Sequence, residues 1–386
     1  MRSFVATSLA GDRGLDELMA ASDAAQAGEV IDLALGDPDL DTDRRVIRAA
    51  FEDAECGYTH YAPALGDPEL LAAIRTAWRE DYAITLAENQ MMVTASGCHA
   101  MWLLLSAVLD PHDEVVIFAP YFSPYPDQVH LAGGTPVIVD TDPDKGFVPR
   151  ADALRSAIGK RTKAVIVNTP CNPTGVCLSR DQMQDLVKVC AETETLLIAD
   201  EIYTAYSFGK PFVPFMALEG SKDCVAAVRS FSKDFCMSGW RLGYVVAPAA
   251  IIAAMRQVNE SNVFVAPTVS QRAALRALEL RADIQARVHE TYRNRRAYAL
   301  ERIARIDGLS APTTEGSLYV FLDIRATGLT ASEFTRRMLA EASVSVIPGT
   351  AFGQAGEGFV RMALRVGEET LAQVFDRMER IARPQN

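Results

Sequence analysis

The sequence is poor in what builds metal centres and disulfide frameworks. Its 386 residues include five histidines and seven cysteines. No two of Cys56, Cys98, Cys171, Cys177, Cys190, Cys224 and Cys236 stand in CxxC spacing, so neither a zinc cluster nor a paired framework is expected, and most read as small buried hydrophobes. His60, His99, His112, His130 and His289 show no HxxxH or HExxH pair, and no metal site is expected. Long hydrophobic runs are also missing. No apolar stretch reaches the roughly 18–20 residues that span a bilayer, and the opening MRSFVATSLAGDRG has no apolar core of a signal peptide. The expectation is a cytoplasmic protein with no membrane partner. Positive charge is in deficit: Lys and Arg number 38 against 50 Asp and Glu, a net charge of −12, which repels a phosphate backbone and argues against a nucleic-acid partner. Gly 24 and Pro 19 are ordinary counts, and no repeat or Ser/Gly-rich linker divides the chain.

What is present is alternation. Short β-branched runs bounded by turn residues occur at 89–94, 114–118, 135–139, 164–168, 196–200, 224–231 and 243–247. Helical patterns lie between many of them, such as 179–190 with Ser179 as its candidate N-cap. That order predicts an α/β fold with a mostly parallel, seven-stranded sheet between helices. From about Ile251 to about Asp307 the chain reads as long, Ala- and Arg-rich helix, followed by mixed strands and helices, including a strand at 318–323. The last part reads as a smaller α+β unit. Residues 1–43 are too few to bury a core alone, so both chain ends are expected to build it. The expected division is a large domain, 46–285, and a small one, 1–45 with 286–386.

Ligands in such a sheet bind beyond the carboxyl ends of the strands. Three ends carry chemistry. AVIVN leads into Thr169-Pro170-Cys171-Asn172-Pro173-Thr174-Gly175, which reads either as a loop presenting Asn172 or as a plain Pro/Gly turn. LLIA ends in Asp200-Glu201-Ile202-Tyr203, where Asp200 reads equally as a partner for a buried cationic group or as a helix N-cap. The third ends in Ser230-Phe231-Ser232-Lys233, with Gly239 and Arg241 beyond, a set suited to a phosphate ligand and an amine nucleophile.

These residues resemble, in order and spacing, the class I/II aminotransferase family of fold-type I, pyridoxal-phosphate-dependent, aspartate aminotransferase-like enzymes. The likeness covers nearly the whole chain. LALGDPD at 33–39, Tyr58-Thr59-His60-Tyr61 through Gly66, NTPCNPTG, ADEIY, SFSKxxxxxGWRxGY, and PGTAFG at 348–353 with Gly358-Phe359-Val360-Arg361 are similar to successive family motifs. The resemblance implies that the cofactor is pyridoxal 5′-phosphate. Lys233 would attach to it covalently and shuttle the proton at the substrate Cα. Asp200 would pair with the pyridine nitrogen, Tyr203 and Asn172 would bond the phenolic oxygen, and Phe122 would stack on the ring or pack in the core. Ser230, Arg241 and the backbone around Ser96, Gly97 and Cys98 would hold the phosphate, with Ser232 either a contact or a packing residue. Tyr61 would reach the phosphate of a neighbouring subunit, making the active unit a homodimer. Arg361 would take the substrate α-carboxylate, with Arg365 as the alternative, Asn172 would also contact the substrate, and Gly36 would close on it.

The expected activity is transfer of an amino group from an L-amino acid to a 2-oxo acid by a ping-pong mechanism. The same residues also suit C–S β-elimination, decarboxylation or oxidation. A non-catalytic aminotransferase-like binding module is the rival from another class, but the chain offers no helix-turn-helix or basic patch of the regulators built that way. There are departures. Asp110-Pro111-His112-Asp113 stands where many relatives read Asp-Pro-Gly-Asp, a change expected to alter only a surface turn. Acidic-substrate relatives carry a lysine near the position of Cys98. His99 reads as a solvent-facing helix start or as a pocket-edge group. Gly11-Asp12-Arg13-Gly14 also differs from the family's usual opening segment.

Overall fold

A computed structural model describes residues 30–312 and 315–382; the 11–14 departure lies outside them. Twelve strands occur among the described residues: β1 (Ile31–Asp32), β2 (Met91–Thr94), β3 (Glu114–Ala119), β4 (Thr135–Asp140), β5 (Thr162–Asn168), β6 (Leu196–Asp200), β7 (Val225–Ser230), β8 (Gly243–Val246), β9 (Tyr319–Asp323), β10 (Val344–Ser345), β11 (Ile347–Pro348) and β12 (Phe359–Ala363). Strands β2 to β8 form the seven-stranded sheet in the order β2-β8-β7-β6-β5-β3-β4. β8 runs antiparallel to both neighbours and the other pairings are parallel. The seven expected strands are all present, within a few residues of their expected ends.

Both faces of the sheet are covered over β2, β3 and β5 to β8, which explains why those strands read as continuous apolar runs, whereas the edge strand β4 leaves Ile138 exposed. On β3 and β6, Ile117 and Ile198 enter a core with Leu103, Leu104 and Val228, whereas Val116, Leu197 and Ala199 enter the opposite one with Leu186 and Val187. The alternation is the period of two that a strand imposes. Helix Arg180–Glu192 covers the second face. Ser179 Oγ accepts the Gln182 N–H, Gln182 Oε1 accepts the Ser179 N–H, and Met183, Leu186, Val187 and Cys190 are buried at helical spacing.

The long helix expected over 251–307 is instead three: Ala249–Glu260, Thr268–Glu279 and Arg281–Ile303. The first break is chemical. Pro267 disfavours helix in the residue before it, and the chain turns out through Ser261 and Asn262 to leave Val263 and Phe264 exposed. Ala and Arg dominate on either side of the short 261–267 segment, and that masked the corner.

β9, β11 and β12 form a separate antiparallel sheet, and β1 pairs in parallel with β10, Ile31 opposite Val344. Leu33 thereby joins a core with Tyr292, Phe334, Met338, Leu371 and Phe375. No described helix is long and apolar enough to cross a membrane.

Candidate active site

In the sheet order β5 and β4 lie on opposite sides of β3, so the chain direction of assembly reverses there and the carboxyl ends open a crevice. One cavity at these ends is lined by Gly36, Gly97, Cys98, Phe122, Asn172, Asp200, Tyr203, Ser230, Ser232, Lys233, Arg241 and Arg361. Every expected site residue but Tyr61 is therefore brought together. Tyr61 is 81% exposed, packs edge-on against Phe264 at 5.2 Å, and lines a separate depression with Val265 and Thr268.

Asp200 ends β6 fully buried. Burial raises its carboxyl to about 6, against the lowering effect of hydrogen bonds from the Tyr125 hydroxyl and the Ile202 N–H. Tyr125 O–H donates to Oδ2 at 2.5 Å, while Oδ1 is buried with no partner. A buried carboxylate oxygen without a donor is a place for a cationic N–H ligand. Lys233 sits on the single helical turn Phe231–Asp234 after β7, and its Nζ donates to the Gly36 carbonyl. Asp234 anchors that turn. It accepts the Thr204 hydroxyl and, at 3.1 Å, the Ala205 N–H, tying the turn of Lys233 to the loop that carries Tyr203.

The anion side of the cavity begins at helix Gly97–Val108. Ser96 is its N-cap at φ 139°, a backbone conformation that L side chains rarely adopt, and its Oγ accepts the His99 N–H at 3.1 Å. The first-turn N–H groups with Ser230 and the exposed Arg241 make a cradle for a phosphate. Ser230 Oγ accepts the Ser232 N–H at 3.1 Å, which gives Ser232 a structural place at the same turn. The orphaned Asp200 oxygen, the Lys233 amine and this cradle line one cavity, and that set of groups fits pyridoxal phosphate, which offers a ring nitrogen to a carboxylate, a carbonyl to an amine and a phosphate to N–H and cationic donors.

Arg361, on β12, is 2% exposed. Its Nη1 donates to Asn172 Oδ1 at 3.1 Å and its Nη2 to the Ala34 carbonyl, while Nε is buried without a partner. Burial pulls its guanidinium below the usual value, yet a guanidinium stays protonated in proteins. Arg365 does not line the cavity and pairs instead with Asp32. Asn172 is itself held by its N–H donating to Asn168 Oδ1 at 2.7 Å, and Asn168 Nδ2 donates to the Asp200 carbonyl at 2.9 Å. His99 fits neither of its sequence readings: its half-buried ring turns back, Nδ1 accepting the Ala95 N–H at 3.1 Å, and stacks on Trp102.

Sequence reasoning missed three contributors. Tyr319 lines the cavity beneath Arg361, Asn168 orients Asn172, and Tyr125 is bonded to Asp200. The signal for Tyr125 was its place three residues after Phe122; the two rings meet edge-on at 5.5 Å. Among the described residues no cluster of His, Cys, Asp or Glu could hold a metal ion.

A mostly parallel seven-stranded sheet whose strand ends gather a lysine, a buried aspartate and an anion cradle defines a fold-type I pyridoxal-phosphate enzyme. Residues 28–378 match the model of the family described as aminotransferase class I and II. The chain is 36% identical to the aspartate aminotransferase of Pyrococcus abyssi over 93% of each protein. Among solved structures, an aspartate aminotransferase from Thermus thermophilus with maleate aligns with a TM-score of 0.92 at 33% identity, covering 99% of this chain and 100% of that one. An aromatic aminotransferase from Pyrococcus horikoshii aligns with a TM-score of 0.89 at 36% identity, covering 94% and 98%. The chain belongs to the class I and II aminotransferase family and is a pyridoxal-phosphate-dependent transaminase.

Proposed function

We propose that this cavity passes the amino group of an L-amino acid to a 2-oxo acid, with each named side chain in the role its position suits. The observation that carries the reading is the buried, unpartnered Asp200 Oδ1 in one cavity with Lys233 and Arg361. When bound, the cofactor supplies an electron sink for the charge left as the Cα proton departs. Asp200 holds its protonated ring nitrogen, and Tyr125 and the Ile202 N–H keep that carboxylate ionised. Gly97 and Cys98 N–H groups, Ser230 and Arg241 hold the phosphate, Phe122 stacks on the ring, and Tyr203 and Asn172 bond the phenolic oxygen. Arg361 takes the α-carboxylate, which displaces the Ala34 carbonyl and gains a bidentate, charge-assisted pair. Lys233 Nζ would take the proton from the substrate Cα and deliver it to the cofactor carbon on the other side of the amino nitrogen. Residues 34–36 close over the pocket and exclude water, carried by the small unit, 1–45 with 286–386, against the large unit, 46–285.

Among the described residues the cationic side chains lining the cavity are Lys233, Arg241 and Arg361, all with roles in this scheme. A further cation to meet a second carboxylate on the donor would have to come from outside that set. Tyr61 and Phe264, exposed beside Val263, are proposed to cover the face of a second copy, with Tyr61 reaching the partner's phosphate site. The seven cysteines are all free, in keeping with a reducing, cytoplasmic setting.

The test is the fate of the nitrogen. With ¹⁵N-labelled L-amino acids and 2-oxoglutarate, pyruvate or oxaloacetate, the label is expected in a new amino acid, and the best donor names the substrate class. Label accumulating as ammonia without any oxo acid would move the function to elimination or oxidation.

A further inference from the structure

Tyr319 opens β9 opposite Ala363 of β12, with Arg361 two residues along on the same face. A long side chain and a ring on that diagonal reach one another, and the Arg361 guanidinium carbon lies 4.4 Å from the centre of the Tyr319 ring. The hydroxyl at the other end of the ring is 3.2 Å from the Tyr203 hydroxyl. Both tyrosines are buried, at 1% and 2% exposure, and meet edge-on at 6.0 Å. Gly36 seals the contact from above: a Cβ there would fall 2.0 Å from the Tyr319 oxygen. One side chain thus touches the groups assigned to the substrate carboxylate and to the cofactor's phenolic oxygen.

A phenol has one proton to donate. If Tyr203 gives its proton to the phenolic oxygen, the bond between the two tyrosines must be donated by Tyr319. Donation into the Tyr203 oxygen makes Tyr203 the better donor, since hydrogen bonds in a chain polarise one another in a dry site. We infer that Tyr319 is a positioning residue with two separable parts: its ring supports Arg361, and its hydroxyl orients and polarises Tyr203. This rests on the roles proposed above for Tyr203 and Arg361.

The two parts are read without turnover, on protein loaded with pyridoxal phosphate. One measurement is the pH midpoint of the bound cofactor's absorbance, which reports protonation of its linkage to Lys233. The other is the dissociation constant of propionate, an unreactive carboxylate. Tyr319→Phe is expected to raise the midpoint by about half a unit, because a weakened Tyr203 stabilises the ionised phenolic oxygen less, and to leave propionate binding within about twofold. Tyr319→Leu is expected also to weaken propionate about tenfold. Tyr203→Phe should raise the midpoint by itself, and adding Tyr319→Phe to it should change nothing further. An unmoved midpoint in Tyr319→Phe, beside a shifted one in Tyr203→Phe, would overturn the inference alone. An unmoved midpoint in Tyr203→Phe would overturn the underlying assignment of Tyr203, and the inference with it.

Discussion

Asp200 is the residue on which the chemistry turns, and its environment sets a testable trade. In the cofactor-free protein, burial raises its carboxyl to about 6, so its contribution to stability is present below the unfolded value near 4 and is lost as pH rises through 6. Replacing it with Asn removes that loss. Asp200→Asn apoprotein is therefore expected to gain on wild-type apoprotein by up to about 3 kcal/mol between pH 4 and pH 7.5. Asp234, also raised to about 6 by burial, is common to both proteins and drops out of the difference. With pyridoxal phosphate bound, the cationic ring nitrogen reverses the order at pH 7.5. Thermal unfolding of both proteins, with and without cofactor at the two pH values, reads this directly; an apo difference independent of pH would contradict it. In the sequence Asp200 was visible as a carboxylate at the end of an apolar strand, with a capping role equally open. Its carboxylate accepts the Tyr125 hydroxyl, and the orphaned Oδ1 is a three-dimensional fact. Tyr319 was less legible still, because its place beneath Arg361 depends on the register of two strands that are distant in sequence.

Strand ends and one helix start bring the anion cradle together. Gly243, the first residue of β8, lies opposite Ser230 on one side and Thr94 on the other. A Cβ there would meet the Arg229 carbonyl at 2.7 Å and the Gly97 nitrogen at 2.8 Å, backbone that cannot swing away. Gly243→Ala must push β8 and the helix start apart, at a cost of about 1–3 kcal/mol typical of overpacking. The expected outcome is a selective defect: affinity for pyridoxal phosphate falls at least about tenfold, while affinity for pyridoxal, which has no phosphate, changes little. Equal losses for both would place the damage elsewhere. At this scale the strands were legible because burial on both faces writes continuous β-branched runs. The breaks near 261–267 and at Leu280 were not, because Ala and Arg suit helix on either side of a corner. His112 adopts φ 73° in an exposed turn, so the departure expected at 110–113 is absorbed locally.

For the whole molecule, the proposed dimer predicts which subunit completes which site. Tyr61 lines no part of its own chain's cavity, and with Tyr58, Val263 and Phe264 it leaves apolar surface exposed. Tyr61→Ala alone should bind cofactor weakly, and Lys233→Ala alone should be inactive. Mixed dimers of the two should regain one working site, because the chain keeping Lys233 borrows Tyr61 from the chain that lacks the lysine. If activity does not return on mixing, Tyr61 does not act across a subunit boundary. The sequence could suggest this only through family resemblance, since no periodicity marks a residue that serves another chain.

The central claim is that Lys233, Asp200 and Arg361 hold pyridoxal phosphate and substrate for reversible transfer of an amino group. The absorption spectrum of the cofactor-loaded protein through one half-reaction tests it most directly. The account predicts that an L-amino acid converts the spectrum to that of the aminated cofactor, that a 2-oxo acid restores it without release of ammonia, and that Lys233→Ala shows neither change. A spectrum that no oxo acid restores, or a Lys233→Ala variant that cycles like wild type, would contradict it.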